Sequence, residues 1–161
     1  MKLNRLLVII AAIMLVCSAV AFAQEKPWFD MQNCSFCKNL LTDPKLLENM
    51  TWDQYDISNG MISITTVTPE FMESYKKVMD EIEKVSQELS KGRTDLPMCG
   101  SCEYYGKMMF AGVKFETIPT KVGEITLVTS DKPEGIDMIR KYAQRSREEM
   151  AKMMVPEKPK E

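Results

Sequence analysis

The 161-residue chain contains no histidine. That absence removes the commonest general base and the commonest metal ligand of proteins, and with them every Ser-His and Cys-His nucleophile pair. Glycine is scarce, with seven residues in all, and no glycine-rich phosphate loop occurs. Beyond residue 23 no apolar run approaches the roughly 20 residues that cross a bilayer. Basic charge is not in excess, since 21 Lys and Arg stand against 23 Asp and Glu. Nucleic acid is therefore not an expected partner. The acids Glu148 and Glu149, and the run Asp80, Glu81 and Glu83, fall on exposed helix faces and read as solvated surface rather than an acid–base pair.

What is present begins with an export signal. Lys2 and Arg5 precede an apolar run from Leu6 to Val20, and the stretch ends Ala21-Phe22-Ala23. A charged start, a short apolar centre and small residues around a cleavage point are the three parts of a secretory signal. The run is about 15 residues, short for an uncleaved anchor. Val16 before Cys17 is not the small residue a lipid-modified N-terminus requires. Residues 1–23 are thus expected to be removed, leaving a chain from Gln24 in the periplasm or outside the cell. Removal takes Lys2 and Arg5 and no acid, so basic residues fall from 21 to 19 against 23 acids, a net charge of −4.

The remainder shows one pattern twice. Cys34-Ser-Phe-Cys37 and Cys99-Gly-Ser-Cys102 each precede a short helical stretch, Lys38 to Leu41 and Glu103 to Phe110. Each is followed by a hairpin whose second strand opens on glycine, at Gly60 and Gly123, and then by Pro-Glu at the head of a long helix, at Pro69 and Pro133. The offsets are 65 at the cysteines, 63 at the glycines and 64 at the prolines. Near-constant spacing predicts a duplicated unit: residues 24–92 and 98–154, with a linker at 93–97 and a flexible tail at 155–161. One hairpin with helices cannot bury its apolar face alone, whereas two can. The expected fold is α+β: two tandem α-β-β-α repeats forming an antiparallel sheet covered by helices.

Within each unit, Ser58-Asn59-Gly60 offers the positive φ of a tight hairpin. Ile62, Ile64 and Thr66 alternate with Met61, Ser63 and Thr65, so one face of that strand can be buried. Val113, Phe115 and Thr117 are expected opposite Ile125, Leu127 and Thr129. The first long helix carries Phe71, Tyr75, Val78, Ile82, Val85 and Leu89 at helical spacing, with Thr68 as a cap, Pro69 in the first turn and Gly92 at the end. The second carries Ile136, Ile139, Ala143, Met150 and Met154.

The chemical signal lies in four cysteines. Two C-x-x-C pairs can supply the four thiolates of a tetrahedral site for zinc or another soft metal. Cys34, Cys37, Cys99 and Cys102 are therefore the expected ligands of one shared site. The long gap between the pairs differs from compact zinc modules. Two alternatives remain open in sequence. Exported cysteines commonly form disulfides, here in any of three connectivities, which would make a disulfide-stabilised ligand-binding module. A C-x-x-C before a helix also suits a thiol–disulfide oxidoreductase, although no thioredoxin-like βαβ pattern surrounds either pair. Met108, Met109, Met150, Met153 and Met154 could offer thioethers to copper, but methionine at helical spacing more often fills a core. Trp28, Trp52, Tyr104 and Tyr105 lie beside the motifs; Tyr104 and Tyr105, directly after Cys102, could line a pocket, but such residues more often pack the mouth of a sheet-on-helix core. The expectation is a binding protein with a closed four-thiolate site and no catalytic residue, since a catalytic zinc needs an open position.

Overall fold

The computed structural model describes residues 26–154. The expected signal (1–23) and tail (155–161) lie outside the described residues.

The fold is α+β. Strands β1 (Met50–Ile57), β2 (Gly60–Val67), β3 (Lys114–Thr120) and β4 (Gly123–Thr129) form one antiparallel sheet in the order β1-β2-β4-β3. The two hairpins thus join through their second strands. Helices α1 (Met72–Ser90), α2 (Gly100–Phe110) and α3 (Pro133–Met154) pack on the sheet. Short 3-10 turns occupy Cys37–Leu41, Leu47–Asn49 and Pro69–Phe71.

Alternation in a strand sends successive side chains to opposite faces, and here it separates two chemistries. Toward the helices point Met61 and Val67 of β2 and Val128 of β4, all at most 1% exposed. Ile62, Ile64, Ile125 and Leu127 lie on the other face and are only partly buried. The expected placing of Val113, Phe115 and Thr117 opposite Ile125, Leu127 and Thr129 is corrected accordingly, and Val113 precedes β3. Phe115 faces Val128, and Thr117 faces Thr126. A one-residue change of register exchanges the faces of a strand. Both faces of β2 and β4 carry apolar residues, so alternation alone did not choose between them.

The helices cover two separate cores. At one end, Ile139, Tyr142 and Ala143 of α3 meet Met108, Met61, Val113 and Val128. At the other, Tyr75 and Val78 of α1 meet Leu46 and Val67. The buried stripe of α3 is Gly135, Ile139, Tyr142, Ala143 and Ser146, shifted from the expected stripe because Tyr142 and Ser146 make internal hydrogen bonds. Gly92, at φ +91, ends α1 as expected. Thr68 does not cap that helix, because its hydroxyl donates to the Asn49 carbonyl at 2.8 Å.

Of the glycines heading β2 and β4, Gly123 has positive φ, at +138, and Gly60 does not. No residue of the β1–β2 turn has positive φ. A Cβ on Gly60 would stand 2.0 Å from the Val128 carbonyl oxygen, and one on Gly123 would stand 2.1 Å from that of Thr65. Close approach of the two inner strands requires both glycines.

Candidate metal centre

The first cysteine pair is built by a turn. The Asp30 carboxylate accepts the N–H groups of Gln32 (3.1 Å) and Asn33 (2.8 Å), and the Asn33 bonds hold its carboxyl below the ordinary range. Asp30 also accepts the Cys34 N–H through its carbonyl, at 3.2 Å, and the Cys34 carbonyl accepts the Lys38 N–H at 3.0 Å. Cys37 then opens a 3-10 turn.

The second pair sits at the head of α2, with Cys99 as its N-cap residue and no side-chain cap bond. The first N–H groups of a helix lack partners within it. Here Gly100 N–H donates to the Pro27 carbonyl and Ser101 N–H to that of Trp28, each at 2.9 Å. The Cys99 sulfur is thereby left to the cluster. A Cβ on Gly100 would stand 3.3 Å from the Trp28 ring. The two loops are joined directly, since Ser35 N–H donates to the Pro97 carbonyl at 2.8 Å.

Behind the cluster, α3 locks the arrangement. Trp28 donates its indole N–H to Ser146 at 3.1 Å and packs against Tyr104 and Tyr142, with ring centroids 5.8 and 5.7 Å away. The Ser101 and Tyr142 hydroxyls bond at 3.1 Å.

All four expected ligands are brought together. Their Sγ atoms lie within 4.8 Å of one another, and all four are free thiols. Cys34 and Cys102 approach to 3.5 Å, Cys37 and Cys99 to 3.7 Å, and Cys37 and Cys102 to 3.7 Å. Four sulfurs about 2.3 Å from a central zinc stand about 3.8 Å apart. Three of the six separations are close to that edge and none exceeds 4.8 Å, so the cluster is able to hold a metal ion such as zinc. Cys34 and Cys99 are 1% exposed and Cys37 is 9% exposed, while Cys102 is partly buried.

Sulfurs this close cannot all ionise without a cation among them. Hydrogen bonds from Cys102, Cys37 and Cys99 hold the Cys34 thiol far below its ordinary range. A bond from Cys102 draws Cys99 down to about 6. Cys102 is pushed up by Cys34, Cys37 and Cys99. Cys37 is also pushed up: Cys102 favours its thiolate, but Cys34, Cys99 and burial outweigh that. A bound divalent ion would ionise all four.

Met108 and Met109, the methionines nearest Cys102 in sequence, do not join the cluster. Met108 is fully buried in the core beside Ile139, and Met109 is 58% exposed. The thioether that does pack against the cysteines belongs to Met31, which the sequence pattern did not single out.

No protein-family model, curated protein or solved structure matches the chain.

Proposed function

We propose that this is an exported binding protein in which Cys34, Cys37, Cys99 and Cys102 hold one zinc ion, or a similar soft metal, as a structural clamp. One observation carries it: four cysteine sulfurs converge within 4.8 Å of one another, three of their separations close to the edge of a tetrahedral thiolate shell. The clamp role follows from what the cysteines join. One pair fixes the segment from Asp30 to Leu41, and the other fixes the head of α2. Four thiolates leave no open position for substrate, so the metal would organise the fold rather than perform chemistry. Zinc, having no redox chemistry of its own, would also keep the thiols ionised and paired in an oxidising compartment.

Export is supported by the charged start, apolar run and Ala-Phe-Ala end of residues 1–23. Lys26 to Trp28 engage α2, and cleavage after Ala23 would leave these residues in the chain. No helix among the described residues is long and apolar enough to cross a membrane. Duplication is supported by reciprocal bonds. Ser130 N–H donates to the Asn59 carbonyl, and Val67 N–H donates to that of Val122. Both partners of the first bond lie 63 residues from their counterparts in the second. The cross-pair approaches Cys34–Cys102 and Cys37–Cys99 obey the same exchange of halves.

The oxidoreductase reading has one observation in its favour: Cys102 is the least buried of the four. Yet Cys102, like Cys37, is pushed up, and Cys99, which is drawn down, is 1% exposed. A redox nucleophile needs thiolate character and access in the same atom.

The test is elemental analysis of protein purified without chelator. One zinc per chain is expected in the wild type and substantially less in Cys99→Ser and in Cys37→Ser. Equal metal content in all three would sink the shared site. Reduction of insulin by the wild type, abolished by changing one pair only, would establish the oxidoreductase instead.

A further inference from the structure

The helix-facing side of the sheet is not apolar at its centre. Gln54, Ser63, Thr126 and Thr117 form one row across the four strands, and Thr65 and Glu124 continue the next row. Apolar residues flank this band at both ends, in the two separate cores. Over the band lies a cavity of about 160 Å3, which the aromatic side chains Trp52, Tyr105 and Tyr142 line together with Gln54, Ser63 and Glu124. Nothing in the cysteine cluster requires such a band, and a sheet that only supported helices would carry apolar residues there.

Three features of the cavity state what would fit it. Both amide atoms of Gln54 are buried without a hydrogen-bond partner, which costs free energy unless something supplies one. Glu124 is partly buried and takes part in none of the ion pairs among the described residues. Burial raises its carboxyl, and the nearby Tyr75 hydroxyl offsets only part of that. Trp52, Tyr105 and Tyr142 line it, and aromatic rings attract cations. The size matches a ligand of a few heavy atoms, since a cavity of about 150 Å3 admits benzene.

We infer that this cavity is a binding site for a small organic ammonium ion, with Glu124 opposing its charge, the aromatic side chains surrounding it and Gln54 bonding its polar end. No cysteine lines the cavity, which shares Tyr142 with the support of the cluster, and the inference does not rest on the metal reading. Trp52 places a fluorophore in the wall. Its indole N–H donates to Ser63, so occupancy should alter its emission.

The experiment is a titration of the full purified protein with ethanolamine and with choline, followed by tryptophan fluorescence and by calorimetry. The controls are their neutral counterparts, ethylene glycol and 3,3-dimethylbutan-1-ol. Saturable binding of at least one amine is expected, with its neutral counterpart weaker by about tenfold or more. Glu124→Gln should lose the same factor, while Glu124→Asp retains part of the affinity. Thermal unfolding of each variant shows that it is folded. Failure of both amines to bind the folded wild type would overturn the inference. So would equal binding of an amine and its neutral counterpart, or unchanged affinity in folded Glu124→Gln.

Discussion

At the scale of single residues, position decides what a side chain contributes more than type does. Met108 and Met109 are adjacent, yet one is fully buried and the other is 58% exposed. Met108→Ala should cost about 2–5 kcal/mol, the usual range for emptying a core methionine site. Met109→Ala should change stability by less than about 0.5 kcal/mol. Denaturant unfolding of the two variants checks the contrast. Glu124 gives a pH-dependent case. The fold raises its carboxyl above the ordinary value of 4.5, mainly through burial. A raised carboxyl favours the fold when neutral, and that contribution is lost as pH rises through the folded value. Without added amine, Glu124→Gln should therefore unfold at a higher temperature than wild type at pH 7. The gap should close as pH falls below 4.5. A gap that persists unchanged into acid would mean the carboxylate is not held at a cost.

At the scale of elements, strands and long helices were legible because their periods are strong. Pro69 and Pro133 marked helix starts, and Gly60 and Gly123 marked the inner strands. The buried face of the sheet was not legible. Ile62 and Ile64 are as apolar as any core pair, while the neighbours that actually face the helices include Ser63 and Thr65. A polar cavity inside and apolar residues outside invert the usual alternation, and no local signal reveals such an inversion. The difference is measurable. Val128→Ala, on the fully buried side, should cost about 1–3 kcal/mol, whereas Ile125→Thr should cost less than about 1 kcal/mol. Gly60→Ala should be worse than its size suggests, because its Cβ would meet the Val128 carbonyl oxygen at 2.0 Å. The β2–β4 pairing would have to part, and circular dichroism with thermal unfolding would show a large loss of stability.

At the scale of the whole molecule, the cysteine cluster joins chain segments that the apolar cores leave apart. Neither core includes a cysteine. Chelation should therefore loosen the clamp first and the sheet last. Hydrogen exchange should quicken at the N–H group of Cys34, which closes its own turn, and at those of Ser35, Gly100 and Ser101, which tie separate segments together, while β2 and β4 stay protected. Uniform loss of protection would show that the metal supports the entire fold. That the four cysteines form one set was readable in sequence, because two C-x-x-C pairs stand at a repeated offset. Their meeting was not readable, since it depends on Pro97, Pro27 and Trp28 carbonyls bonding the loops and on Trp28 packing beneath them. These are contacts between residues far apart in the chain.

The central claim is that four thiolates share one ion. Its most direct measurement is the intact mass of the chelator-free protein under native conditions, followed by the mass after denaturation with a thiol-alkylating reagent. A single metal adduct in the native spectrum, and four alkylated cysteines after denaturation, is the result expected. No adduct and no alkylation would mean that Cys34, Cys37, Cys99 and Cys102 are paired as disulfides, and the metal clamp would be wrong.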